Sequence, residues 1–527
     1  MSVVQRILFL GLDGGTAVML RSAFDRGWMP NLAAFWSGAA AGSLASTQPM
    51  ITPVAWTSFS TGCTPPVHGI HDFHSFDRRS RAIRSNHPGR VRVPTLWRLL
   101  SDAGCDVVTL NLPLSDASAQ IRGLVVRGAE APTFESAFAQ CPDFAAEIRH
   151  QVPGFTHKLA WKRRPRTLEE LRREADRCSR IFLAQAAAAL RAHARVDWTA
   201  LLVHFHNLDS LQHRLWPYLE LDETAAGKPD WTAAVVRCLR ALDDALGTLL
   251  ELASRCGAAV IVASDHGFGP CRALVDVNGL LRDAGLQHGR LYGTRFRYRA
   301  IRLAERFRRW QARRHGLDPA PASSRPLEGQ LGCDWSRTLA FAPFGQLYGA
   351  IFLNTELLPS EAAADRVCRQ AMDLLRSARD PVRGDPLFCD VYSVADRYGL
   401  DPAAEGLPDI LALSADGYQA QAKWPLRIVH RRVRPDWNLP ATHWSEGVVA
   451  IQAPGIQPQT RLNAQLHDIA PTSLALLGIE IPPAMEGRVL QEAFFPPLPS
   501  PRGPTPQTTL DRDGQSVGSV LLGAQGG

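Results

Sequence analysis

The chain predicts an α/β protein: a mostly parallel sheet with helices on both faces, and an inserted cap region. Three observations carry that reading. Short apolar runs recur, each ending in turn or polar residues, and they are continuous rather than alternating, as expected of strands covered on both faces. Segments of helical period lie between them. From about residue 276 to 400 this rhythm breaks. In order, the runs are RILFLGLDGG from Arg6, DVVTLNLP from Asp106, TALLVHFHNLD from Thr199, AAVIVASDHG from Ala258, PDILALS from Pro408 and GVVAIQAPG from Gly447. The helical segments begin at Thr95, Thr167 and Thr232, and the last two end in small residues or Gly before the next strand. Within the insertion, TLAFAPFGQLYGAIFLN from Thr338 reads as a hairpin. The expected division is a catalytic core over 1–275 and 401–492, a cap over 276–400, and a disordered tail over 493–527, where Pro, Gly, Ser, Thr and Gln dominate.

Composition excludes several classes. With 527 residues, 45% hydrophobic and 21% charged, the chain is neither collagen-like nor wholly disordered. No uninterrupted apolar stretch approaches the ~18 residues of a membrane span. The N-terminus lacks a long apolar h-region and a small-residue cleavage site, and the ten cysteines are scattered without a CxxC pair, so a cytoplasmic, reduced protein is expected. The net charge is +7, yet residues 290–314 alone hold ten Arg and one Glu, a local +9. The rest is therefore 7 − 9 = −2, and nucleic acid is not an expected partner of the chain as a whole.

In an open parallel sheet, ligands collect beyond the carboxyl ends of the strands. Asp13 follows the first run. Asp209 follows the third, with His213 four residues on, a spacing that puts both on one face of a helix. Asp265 and His266 follow the fourth, and His443 precedes the last. Any one of these has an ordinary explanation as a turn or a solvated helix face. Together they deliver three carboxylates and three imidazoles to one predicted edge, a donor set that suits Zn²⁺ and, less well, Mn²⁺.

The segment PMITPVAWTSFSTGCTPPVHGIHDF from Pro49 adds the most specific pattern. Thr52 is followed nine residues later by Thr61–Gly62 and seventeen later by Gly69 within HGI. With LDG near the start, Asp209–His213, SDHG, the late His443, MPNLAAF from Met29 and HDIAPTSLALLGIEIPPAMEGRVL from His467, the chain resembles the type I phosphodiesterase/nucleotide pyrophosphatase branch of the alkaline phosphatase superfamily. The resemblance covers about 5–275 and 400–492. It implies an alkaline phosphatase-like fold and a metal-dependent phosphoester hydrolase, with Thr52 as nucleophile. One divalent ion would be held by Asp13, Asp265, His266 and Thr52, the other by Asp209, His213 and His443. The implied reaction passes through a phosphothreonine, since a metal makes a threonine hydroxyl a far better nucleophile at neutral pH. As a plain structural residue, Thr52 would suit a helix N-cap. A sulfatase is set aside because Thr52 is followed by PVAWT rather than a C/S-x-P-x-R context.

The chain departs from the family after HGI. The family's Asn is absent, and Asp72, Phe73 and His74 stand there, so His74, or Asn111 at the end of DVVTLNLP, is the expected substrate contact. Phosphonate and phosphomonoester hydrolysis are the alternatives within the superfamily. His68 is expected to pack structurally, as is Asp409; His204 and His206 alternate along a strand and would share a face. Tyr292, Phe296, Ala300, Leu303, Phe307 and Trp310 recur at helical spacing among the arginines. They read either as a cap helix packed on the protein or as a helix lying on an anionic membrane surface.

Overall fold

The structure, a computed structural model, describes residues 4–115, 121–160, 164–220, 227–289, 333–345, 347–422 and 440–498, together with Leu303, Phe307, Gln311, 325–326 and 433–434. Its main sheet has eight strands: β1 (Ile7–Gly11), β2 (Ala40–Ala45), β3 (Val107–Leu112), β4 (Gly123–Arg127), β5 (Ala200–His204), β6 (Ala259–Ala263), β7 (Glu446–Gln452) and β8 (Arg461–Gln465). They lie in the order β8-β2-β7-β6-β1-β5-β3-β4. Every neighbouring pair is parallel except the two that β7 makes, with β2 and with β6. Hydrophobic continuity does not encode strand direction, which is why GVVAIQAPG reads like its parallel neighbours and yet runs the other way.

Alternate residues of the central strands feed two cores, as the period of two requires. Leu8, Leu10, Leu201, Val203, Val260 and Val262 pack against the long helices Leu168–Arg195 and Pro229–Cys256. Ile7, Phe9, Leu202 and Ile261 face the other way, toward the helix Thr52–Thr61 (α1) and the helix Ile469–Leu477. The sheet is therefore covered on both faces. The first long helix starts at Thr167 as the sequence indicates, and the second, which stops at Gly257 as expected, begins at Pro229 rather than at Thr232. Thr167 accepts a hydrogen bond from the Glu170 amide at one start, and Gly257 closes the second helix in the left-handed conformation.

PDILALS takes a different place from the one its apolar run suggests. Ile410–Ser414 sits in a separate antiparallel sheet, between Tyr348–Leu353 and Phe388–Ser393, so its burial on both faces comes from cap packing rather than from the main sheet. The expected hairpin is present, with Ala340–Phe341 paired antiparallel to Tyr348–Leu353. A further apolar cluster ties this sheet to the start of α1: Phe341, Tyr348 and Leu411 pack with Ile51 and Val54. At the C-terminal end, Phe494 and Leu498 are buried, so packed chain extends to 498 rather than stopping near 493; residues 499–527 lie outside the described residues. The 290–314 stretch also lies outside them, apart from Leu303, Phe307 and Gln311, which are helical and exposed. No described helix is long and apolar enough to cross a membrane.

Candidate active site

Each of the predicted ligand positions arrives at one edge of the sheet. Asp13 lies in the turn after β1. Asp209 and His213 lie on the helix Asn207–Glu220 that follows β5, Asp265 and His266 follow β6, and His443 is on the short strand Ala441–Trp444 just before β7. Because β7 is antiparallel, its N-terminal end meets the C-terminal ends of β1, β5 and β6. His443 also pairs in register with Phe268, which keeps its strand beside the Asp265–His266 turn.

The turn after β1 is built around Gly14, whose φ of +69° is a left-handed value. Its amide donates to Asp265 Oδ1 at 3.0 Å, and its carbonyl accepts from Gln212 Nε2 at 2.8 Å. Three elements are thereby locked around one glycine. A Cβ there would lie 2.7 Å from the Phe268 ring. Gly14→Ala is expected to destabilise the protein by at least about 2 kcal/mol, from left-handed strain plus the clash. Chemical denaturation checks this, and a neutral result would show that the turn relaxes at no cost.

Two sets of ligand atoms converge: Asp209, His213 and His443, and Asp13, Asp209 and His266, each within 4.8 Å of one another. His443 Nε2 is 3.0 Å from Asp209 Oδ1 and 3.1 Å from His213 Nε2. His266 Nε2 is 3.5 Å from Asp13 Oδ1 and 3.4 Å from Asp265 Oδ2. The His266 and His443 rings stack at 3.5 Å. Asp209 belongs to both sets, whereas the family resemblance assigns it to one ion.

The second nitrogens of these rings identify the tautomers. His213 Nδ1 donates to the Ala441 carbonyl, His443 Nδ1 to Met50, and His266 Nδ1 to Gly267, all at 3.0 Å. Each Nδ1 therefore carries a hydrogen and each Nε2 presents a lone pair inward, the backbone arrangement that orients ligating imidazoles. His213 and His443 direct two such lone pairs at each other. Asp13 Oδ1, Asp265 Oδ2 and His266 Nε2 are buried without a hydrogen-bond partner. Buried acceptors facing buried acceptors cost free energy unless a cation lies among them. The residues present thus fit divalent metal ions, and the mixed N/O donors are those of the borderline-hard class.

Electrostatics agree. Burial, then the charges of Asp265 and Asp209, raise the Asp13 carboxyl well above its ordinary range. Burial pushes Asp265 up to about 7 against the pull of the Gly14 amide. Burial would raise Asp209 too, but the adjacent His213 and His443 outweigh it and hold it low. Burial also keeps imidazoles neutral: His71 and His204 fall to about 3, His157, His206 and His213 to about 4, and His68 and His266 well below 6.5. Between about pH 4 and 6.5 the unfolded chain binds more protons at these seven histidines than the native one, so their contribution to stability falls on acidification. Asp13 and Asp265, raised in the native state, act oppositely, as do Glu130, Asp243, Asp409 and Asp416, which burial raises by less; the seven histidines outweigh these six. Chelator-treated protein is expected to unfold at lower urea at pH 5 than at pH 7; an unchanged midpoint would contradict these burial effects.

Thr52 is the first residue of α1, and the N-cap is Ile51, whose side chain has no capping role. The capping role available to Thr52 from sequence is therefore not the one it takes. Every other residue of α1 is buried, and Thr52 alone keeps partial exposure. Pro53 has no amide, and Val54 and Ala55 donate to the Ile51 carbonyl, so among the described residues the Thr52 amide is the one left free at the helix start. A cleft of about 510 Å³, open solvent included, begins at Ile51 and is walled by Asp72, Phe73, His74 and, from the cap side, Phe344 and Gly345. His74 thus lines a cleft shared with Ile51, the residue that precedes Thr52.

Asn111 does not line that cleft. It sits at an irregularity in β3 with φ of +64°, its carbonyl accepting from His204 Nδ1 at 2.9 Å and its amide buried without a partner. His204 in turn lies 3.1 Å from Asp13 Oδ2 and beneath Trp56. This contact with Asp13, and the Gln212 bond to Gly14, were not legible from spacing. His204 and His206 do share a neighbourhood, with ring centroids 5.8 Å apart. As expected, His68 is structural, bound to Ser58 and the Ile70 amide, and so is Asp409, which accepts from Arg78 and the Leu353 amide.

An open α/β sheet carrying these groups on its carboxyl edge defines an alkaline phosphatase-like hydrolase. The sequence model of the type I phosphodiesterase/nucleotide pyrophosphatase family matches residues 7–338, and the chain belongs to that family. It is accordingly a hydrolase of phosphoric esters. Among solved structures, human ectonucleotide pyrophosphatase/phosphodiesterase 5 aligns over 92% of this chain and 97% of its own, with 13% identity and a TM-score of 0.50. Phosphonoacetate hydrolase from Sinorhizobium meliloti 1021 aligns over 90% and 96%, with 15% identity and a TM-score of 0.53. At such identities the likeness concerns the fold. No curated protein sequence matches the chain.

Proposed function

We propose that the chain hydrolyses phosphodiesters through a covalent Thr52 intermediate, with two divalent ions, Zn²⁺ by donor type, held by Asp13, Asp209, His213, Asp265, His266 and His443. The observation that carries this reading is the convergence of three Nε2 lone pairs and three carboxylates, every histidine oriented through Nδ1, at the edge where α1 begins. Bound there, such ions supply charge neutralisation and Lewis acidity that ease ionisation of a nearby hydroxyl.

The protein's own groups do the rest. Thr52 Oγ, on the partly exposed start of a rigid helix, attacks phosphorus as one ester oxygen departs opposite it, its proton passing to the departing alcohol and the second ester group staying on the Thr52-linked phosphoryl. Water then cleaves the P–Oγ bond, releasing the phosphomonoester and returning the hydroxyl. The Thr52 amide and His74 offer hydrogen bonds to phosphoryl oxygens, a role in which fixed donors are worth most. The Gly14 amide keeps Asp265 aimed inward throughout.

The test is a substrate panel on metal-loaded protein: bis(p-nitrophenyl) phosphate, p-nitrophenyl phosphate and a phosphonate ester. Fastest turnover of the diester, with a p-nitrophenyl phosphoryl group on Thr52 trapped by acid quench and found by mass spectrometry, is the expected result. Preference for the monoester or the phosphonate would replace the substrate assignment, and turnover without labelling at 52 would replace the mechanism.

A further inference from the structure

The cleft that begins at Ile51 is walled on one side by the loop of the cap hairpin, Pro343–Gly345, and one residue of the cap sheet bonds to its opposite wall. Tyr348, buried in the strand Tyr348–Leu353, donates its hydroxyl to Asp72 Oδ2 at 2.6 Å and lies 3.0 Å from the His71 carbonyl. Asp72 is 4% exposed. Its other oxygen accepts the His74 amide at 3.0 Å and stands 3.5 Å from His74 Nδ1. Asn86 secures the same loop, donating to the Asp72 carbonyl at 2.6 Å while its amide donates to the Phe73 carbonyl at 2.8 Å. Beyond the carboxylate, the His74 ring leans on Phe344 at 6.2 Å between centroids. Asp72 therefore flanks the imidazole on its Nδ1 side, and among the described residues its Nε2 has no partner.

We propose that Tyr348 and Asp72 form a positioning relay that sets His74 as the donor to the phosphoryl group, so that the cap sheet completes the active cleft. The inference rests on the Thr52 reading above and extends it to residues of the cap. A carboxylate behind an imidazole accepts from Nδ1–H and orients the ring; between that carboxylate and an anionic phosphoryl group the ring is an imidazolium, which donates from Nε2 as well. A carboxylate in an almost dry wall is itself held only if its oxygens are saturated, and Tyr348 saturates the one that His74 does not use. Burial and the adjacent Asp72 charge raise the Tyr348 phenol well above its ordinary range, so it serves as a donor throughout. The packing of Tyr348 with Phe341, Ile51 and Val54 places the relay against the segment that leads into Thr52.

A double-mutant cycle on the metal-loaded enzyme with bis(p-nitrophenyl) phosphate tests it. His74→Ala is expected to lower kcat/KM roughly a hundredfold, as for loss of one oxyanion donor. Tyr348→Phe is expected to lower it roughly tenfold, as for loss of a group that orients a functional residue. In the His74→Ala background, Tyr348→Phe should cost nothing further. Additive losses would assign Tyr348 a merely structural role and overturn the relay, as would an undiminished rate in His74→Ala. Should Tyr348→Phe fold poorly, Asp72→Asn, which keeps the size and removes the charge, takes its place in the same cycle. Thr52→Ala is assayed alongside. Its retention of activity refutes the nucleophile, whereas its inactivity combined with an additive cycle refutes the relay alone.

Discussion

Thr52→Ala is expected to lose turnover by a factor on the order of 10⁴ or more while folding as well as the parent protein, and Thr52→Ser to keep substantial activity. Removal of a nucleophile that acts with its surroundings as a unit typically costs this much. The separation from stability follows from the position of the residue. Thr52 is not the cap of α1, its side chain makes no capping bond, and it is the one residue of the helix that is not buried. The loss of about 1 kcal/mol that accompanies removal of a Thr N-cap therefore does not apply. Rates and thermal unfolding measured on the same preparations decide the matter. A variant retaining more than a few per cent of the rate would remove Thr52 from the mechanism.

The second large effect concerns the shared carboxylate. His443→Ala is expected to cost one of two bound ions, and Asp209→Ala both, because Asp209 lies within reach of each ligand set. Elemental analysis after dialysis against trace Zn²⁺ reads the stoichiometry directly. Turnover should fall at least roughly a hundredfold in either variant. The parent protein, stripped with a chelator, should regain thermal stability on adding Zn²⁺, since whatever binds the native state selectively stabilises it. An Asp209→Ala protein with one tightly held ion would confine Asp209 to the His213–His443 set. Absence of any ion in the parent protein would remove the metal assignment altogether.

The edge of the sheet was legible because catalytic groups in such folds follow apolar runs directly. Asp13, Asp265 and His266 could be placed from the residues before them, and Asp209 and His213 from a spacing of four. The family motif around Thr52 is what pointed to that residue as the candidate nucleophile. What escaped detection depends on contacts across the chain rather than along it. The reversed direction of β7 leaves no trace in its composition. Ile410–Ser414 is as apolar as a central strand because the cap buries it on both faces. The sharing of Asp209 depends on His266, Asp13 and His443 arriving from three other segments. Tyr348 carried no signal at all: it lies 276 residues from Asp72, in a region whose sequence reads only as a hairpin.

The bond from His443 Nδ1 to the Met50 carbonyl has an entropic consequence. Met50 precedes Thr52 by two residues, and Asp265 reaches the same segment from the other side, its carbonyl accepting from Ser46 Oγ. An ion that immobilised the His443 ring would thereby also immobilise the peptide leading into Thr52. The freedom of that peptide would be surrendered on metal binding, before any ester arrived. Less ordering would then remain to be done on substrate binding, and more of the interaction energy would be left to lower the barrier.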